Sequence, residues 1–151
     1  MSQEQIIWKG HPSFVINLIM DLLSIFVIFC IIFFNVPIYF IALPILFMLW
    51  NFLSIKTTVY QLTTERLKVS HGILNKKINE LELYRVKDYR VEQPLHIRLF
   101  GLGNIILDTS DKSNPVMILR AISNSEELLN SIRKHVEERR SSKSIRELDI
   151  N

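Results

Sequence analysis

Two long apolar runs joined by a short turn restrict what this chain can fold into more than any other feature. FVINLIMDLLSIFVIFCIIFF fills residues 14–34 and PIYFIALPILFMLWNFLSI fills residues 37–55. Each is close to the ~20 residues a helix needs to cross a ~30 Å hydrocarbon core. The turn at Asn35, Val36 and Pro37 carries no charge, and so short a link permits only an antiparallel helical hairpin. A cleaved signal peptide fits badly: little positive charge precedes the first run, and the second follows at once with no small-residue cleavage site. Burial inside a soluble fold fits no better, because a chain of 151 residues has little left with which to cover two such helices.

The flanks orient the hairpin. Lys9 and His11 precede the first span; Lys56, Arg66 and Lys68 follow the second. Positive residues beside helix ends favour the cytoplasmic side, so the expectation is a multi-pass protein of the inner (plasma) membrane with both termini cytoplasmic. Trp8, Trp50, Tyr39 and Tyr60 are expected as interfacial anchors. Three polar residues, Asn17, Asp21 and Asn51, are the candidates for intramembrane polar contacts. Asn17 and Asn51 lie at similar depth, where they can hydrogen-bond across the hairpin. A carboxylate such as Asp21 is costly in hydrocarbon unless paired or hydrated. With no second ionisable residue in either span, it is expected to meet water, Asn51 or a partner chain near the inner interface instead of forming an ion site. Pro44 predicts a kink in the second helix.

The charges fall elsewhere. All but Lys9 and Lys56 of the 18 basic residues, and all but Glu4 and Asp21 of the 15 acidic ones, come after Lys56. A net charge of +3 from interleaved signs does not describe a nucleic-acid binder. Cys30 is the single cysteine, which excludes an intrachain disulfide and a cysteine metal cluster. The chain therefore divides into a cytoplasmic N-terminal segment (1–13), a two-helix transmembrane hairpin (14–55), a cytoplasmic domain (56–140) and a disordered tail (141–151).

In the cytoplasmic domain the period changes to that of strands. Thr57–Thr63 is β-rich, Thr64-Glu65 supplies a turn, and Leu67, Val69 and His71 alternate with polar residues. Gly72 breaks the pattern at a position expected to need positive φ, and alternation resumes from Ile73 to Val86. Tyr89–Gln93 is a further strand, Leu95–Leu102 a short helical turn closed by Gly101 and Gly103, and Ile105–Thr109 and Val116–Ala121 complete the set. A C-terminal helix follows. Ser123 with Glu126 has capping-box spacing, and Leu128, Leu129, Ile132 and Val136 make one apolar face.

The order of these features resembles a known family. The relevant residues are Tyr60-x-Leu-Thr-x-Glu65-Arg66-Leu67-x-Val69, then Gly72-Ile-Leu, Glu82-Leu83, Arg85-Val86-x-Asp88, Gln93-Pro94 and Arg98-Leu99-Phe100-Gly101-Leu102-Gly103. From Trp8 to about Val136 the chain is similar to the bacterial pleckstrin-homology-like membrane proteins, once called domain of unknown function 304. The resemblance implies a membrane α-helical hairpin plus a mainly β domain, a pleckstrin-homology-like barrel capped by its C-terminal helix. Phosphoinositide-binding relatives carry basic residues around a long loop between their first two strands. Here that connection reads as Thr64-Glu65 beside a single Arg66, so inositide binding is not expected.

Catalytic, cofactor and metal sites are not expected. His11, His71, His96 and His135 lack ligand spacing, no nucleophile elbow surrounds a serine, and Gly101-Leu-Gly103 is too short for a dinucleotide fingerprint. Lys76, Lys77 and Arg90 stand out in a locally basic β half, with two readings open. They face anionic lipid, or they belong to a solvated exterior in which Glu80, Glu82, Asp88 and Glu92 are interspersed. Arg85 and Asp88 are spaced for an ion pair. The expected function is a non-catalytic membrane-anchored adaptor that presents its domain to a protein partner at the inner leaflet. The alternative is an accessory subunit of a membrane transport or stress-resistance complex. Expected partners are membrane lipids, through the hairpin, and a protein partner or a second copy of the chain, with no nucleic acid.

Overall fold

The structure, a computed structural model, describes residues 4–148. Helix α1 (Leu18–Phe33) follows a 3-10 turn at Phe14–Asn17, and α2 (Ala42–Thr57) follows another at Ile38–Ile41. With those turns, each apolar segment is 20 residues long; their mean hydropathies are 2.7 and 2.1, and only 6% and 11% of them is buried. Asn35 makes the turn between them by adopting φ 51°, a conformation asparagine tolerates better than most residues. Val36 N–H then donates to Ile31 O across the end of α1. Pro44 is the third residue of α2, in the first turn, where a missing N–H costs nothing.

The strand order corrects the expected domain boundaries. Strand β1 (Ile6–Gly10) precedes the helical hairpin and pairs antiparallel with β2 (Val59–Thr63), which follows it. Gly10 lies opposite Tyr60 and Trp8 opposite Leu62. The segment taken as a separate N-terminal stretch is thus an edge strand of the domain, and both helices occupy the place of a β1–β2 turn. Trp8 explains why: it packs against the buried cluster around Leu62, Leu67 and Leu81. Thr64-Glu65 accordingly connects the second and third strands, not the first and second.

Strand β3 (Arg66–His71) pairs with β2 and with β4 (Lys77–Glu82), completing a four-stranded sheet in the order β1-β2-β3-β4. Residues 72–76 turn, where one strand was expected to begin at Ile73. Gly72 has the expected positive φ, 120°, and a Cβ there would sit 2.0 Å from Asn75 O. A 3-10 turn at Leu83–Arg85 carries the chain to β5 (Val86–Glu92), the first strand of a second sheet. After the short helix α3 (Leu95–Arg98), β6 (Leu102–Thr109) and β7 (Val116–Ser123) complete that sheet in the order β5-β6-β7.

The two sheets are not hydrogen-bonded into a closed barrel. Helix α4 (Ser125–Leu148) closes them with apolar contact instead. Leu128, Ile132 and Val136 are buried with Leu62, Leu67, Leu81, Leu83, Val86, Ile105, Leu107 and Leu119, and Leu129 is half-buried at the rim. Gly103 lets α4 start close to β6, since a Cβ there would lie 2.4 Å from Ser125 Oγ. Ser123 is not the N-cap that its spacing from Glu126 suggests. Ser123 ends β7, and Asn124 (φ 51°) turns the chain and donates through Nδ2 to Glu127 Oε2 at 3.4 Å. At its far end α4 is held by Arg139–Glu65 (3.2 Å) and by Arg140, whose guanidinium donates to Val86 O. It continues to Leu148, so the expected disordered tail is helical that far; residues 149–151 lie outside the described residues.

Candidate functional site

The two chain segments that connect the helical hairpin to the sheets define one end of the domain. His11 Nδ1 lies 2.9 Å from Thr58 O, tying the strand that enters the hairpin to the one that leaves it. Ser13 N–H donates to Ala121 O at 3.1 Å. Val15 and Ile16, in the first turn of the first apolar segment, pack on a small separate core of Ile97, Leu102 and Ala121. No flexible linker separates the helices from the sheets.

Registry places two further elements at this end. Val59, two residues after α2, pairs with Ser70, and His71 pairs with Lys77. The β3–β4 turn therefore projects past the start of β2, toward the last turn of α2. It presents exposed Leu74, Lys76 and Lys77. On the other sheet, α3 rests Ile97 on Val15 and Ile16, while Leu95, Arg98, Leu99 and Phe100 remain exposed. Arg90 is not with them: it lies in mid-strand on β5, 2.6 Å from Asp108 Oδ2 and 3.3 Å from Glu92 Oε1. Asp108, then Glu92, raise its pKa above the ordinary value. The structure brings Lys76 and Lys77 together and assigns Arg90 to a cross-strand ion-pair cluster. Arg85 pairs with Glu82 and Asp111 instead of Asp88, whose carboxylate accepts from Tyr89 N–H.

The polar residues of the two apolar segments are only partly accommodated. Asn17 ends the 3-10 turn before α1 and makes no capping bond with its side chain. Ser24, one turn beyond Asp21, is buried and donates to Met20 O at 2.9 Å. Among the described residues no hydrogen bond links Asn17, Asp21 and Asn51, and Asn51 Nδ2 is buried with no partner at all.

A groove of about 430 Å³ runs beside β7, which among the described residues has a strand neighbour on one side only. Thr58, His71 and Asn79 form one wall; Val116, Ile118 and Arg120 form the other. Tyr60 closes its inner end by accepting from Arg120 N–H at 3.2 Å, and burial raises its phenol pKa. Tyr60 was expected as an interfacial anchor, but it is a core residue, 3% exposed. Among the described residues no group of three His, Cys, Asp or Glu side chains is placed to hold a metal ion.

Residues 18–136 match the bacterial PH domain family. The chain belongs to that family. No curated protein matches the sequence. Among solved structures, a DUF1696 family protein with a pleckstrin-homology domain from Shewanella loihica PV-4 is similar at 14% identity. The likeness covers 54% of this chain and 73% of that one, with a TM-score of 0.43. In this bacterial PH domain, what sequence reasoning missed was β1 and the exposed apolar side of α3. The alternation Ile7-Lys9 beside Trp8 was the one available signal for β1, and it is short.

Proposed function

We propose that this bacterial PH domain protein is a non-catalytic, membrane-anchored adaptor, held at the inner leaflet and offering its domain to a protein partner. The observation that carries the reading is the position of the helical hairpin between paired strands β1 and β2. Its apolar surface is almost wholly uncovered by the rest of the chain, as expected of helices solvated by lipid. Pairing of β1 with β2 requires both flanks of the hairpin to lie on one side of the bilayer. Lys9 and Lys56 favour the cytoplasmic side. Here the connection between β1 and β2 is the helical hairpin itself. Attachment would then be permanent and independent of headgroup chemistry. The groove along β7 is suited to an extended segment of a partner adding to the sheet edge.

A second reading, an accessory subunit of a membrane transport or stress-resistance complex, is favoured by Asn51. An amide donor without a partner is costly in hydrocarbon, and a neighbouring helix could supply the acceptor.

Photo-crosslinking in intact cells separates the two. A crosslinker at Ile118, on the β7 groove, is expected to capture a protein that one at Phe26, on the first span, does not. Capture from Phe26 alone favours the accessory subunit. Single cysteines at Lys9 and Lys112 should react with an impermeant maleimide only after the membrane is opened. Labelling of both in intact cells would refute the cytoplasmic orientation.

A further inference from the structure

We propose that α3 and the β3–β4 turn are two additional points of insertion into the inner leaflet, so the domain is dipped into the bilayer interface and not merely tethered above it. The inference rests on the anchoring reading and adds a lipid-contacting surface to it. Three observations converge. First, depth: Ile97 packs on Val15 and Ile16, which belong to the first apolar segment, Phe14–Phe33. If that segment spans, α3 must lie at the level of its first turn, where headgroups meet acyl chains. Second, exposure: turned away from that contact, Leu95, Leu99 and Phe100 are 76%, 81% and 54% exposed, and Leu74 at the tip of the β3–β4 turn is 91% exposed. Large apolar side chains clustered this way on a water-facing surface would be anomalous. Beside lipid they continue the apolar surface of the spans. Third, charge: no acidic residue occurs in 66–79 or in 93–104, whereas Lys76, Lys77 and Arg98 flank the apolar tips. Apolar residues that reach the acyl boundary, with cations at headgroup level, form the pattern of an interfacial membrane element. The lipid-facing cations are then Lys76, Lys77 and Arg98. Arg90, engaged by Asp108 and Glu92, is not among them.

The test uses the full-length chain, with Cys30→Ser, reconstituted alone into phosphatidylglycerol-containing vesicles. Spin labels are placed one at a time through Leu74→Cys, Leu99→Cys and Phe100→Cys. Phe26→Cys serves as the span control and Lys112→Cys as the water control. Collision with oxygen, which concentrates in lipid, is compared with collision with a water-soluble nickel chelate. The expected result is that labels at 74, 99 and 100 favour oxygen, close to the label at 26 and opposite to the one at 112. If 26 reports lipid while 74 and 99 report water, the insertion is wrong and the anchor stands. If 26 also reports water, the anchoring reading itself fails. Labels at 99 and 100 shielded from both quenchers would show that a second copy of the chain covers α3, which also overturns the proposal.

Discussion

Glu80 shows how the exposed face of the four-stranded sheet is held. Its carboxylate lies 3.0 Å from Arg66 and 3.6 Å from Lys68, while Lys68 also reaches Glu4 at 3.9 Å. Glu4 in turn accepts from Thr63 Oγ1 at 2.8 Å, so β2, β3, β4 and the residue two before β1 share one network. The hydrogen bond from Arg66 holds the Glu80 carboxyl below its ordinary value of 4.5. A carboxyl with a depressed folded pKa adds stability above the unfolded value and loses it as the pH falls through the folded one. The contribution is small because the side chains are about 40% exposed and solvent screens them. Glu80→Gln should therefore lower Tm slightly at pH 7 and more weakly in high salt. The gap to the wild type should close as the pH falls below 4.5, followed by circular dichroism in detergent. A gap that persisted in acid would assign the effect to packing.

Among the elements, α4 does most to complete the core. The sequence pattern of Leu128, Leu129, Ile132 and Val136 treats the four alike, but the structure ranks them. Ile132 and Val136 are 0% and 1% exposed, Leu128 is 6% exposed, and Leu129 sits at the rim. A fully buried isoleucine cut to alanine costs about 2–5 kcal/mol through lost transfer energy and the cavity left behind. Ile132→Ala should destabilise by that amount and Leu129→Ala by clearly less, as measured by thermal unfolding. Equal losses would mean that α4 is rotated from the placement described. Arg133, 4.8 Å over the Tyr89 ring, and Arg139 beside Glu65 fix the same rotation from the polar side.

At the scale of the whole molecule, the helices are an insertion in a β-hairpin, so the domain is discontinuous in sequence. Residues 56–140 by themselves lack β1 and leave Trp8's part of the core open. Replacing residues 12–57 with a turn of about four residues, a usual β-hairpin length, would join strands whose ends already meet at His11 and Thr58. The joined variant should unfold cooperatively, and the 56–140 fragment should not. Equal cooperativity in the two would show that β1 is dispensable.

What the sequence determined by itself was what depends on local period and on neighbours a few residues away. That covers the two apolar helices, the turn at Asn35, the positive φ at Gly72, the alternating strands and the apolar stripe of α4. The ordered residues from Tyr60 to Gly103 also carried the family. Tertiary structure alone decided the partners. Strand β1 is five residues long, too short for its alternation to be distinctive, and it exists because β2 offers an edge 50 residues away. Ser123 had capping-box spacing, but pairing of β7 with β6 kept it in the sheet, leaving Asn124 to start α4. Arg90 and Lys77 look equivalent in sequence. They differ because cross-strand registry sets Arg90 beside Asp108, while Lys77 opens β4 opposite His71 at the β3–β4 turn. Which face of α3 meets the first apolar helix, and which stays exposed, follows from where Val15 and Ile16 come to rest.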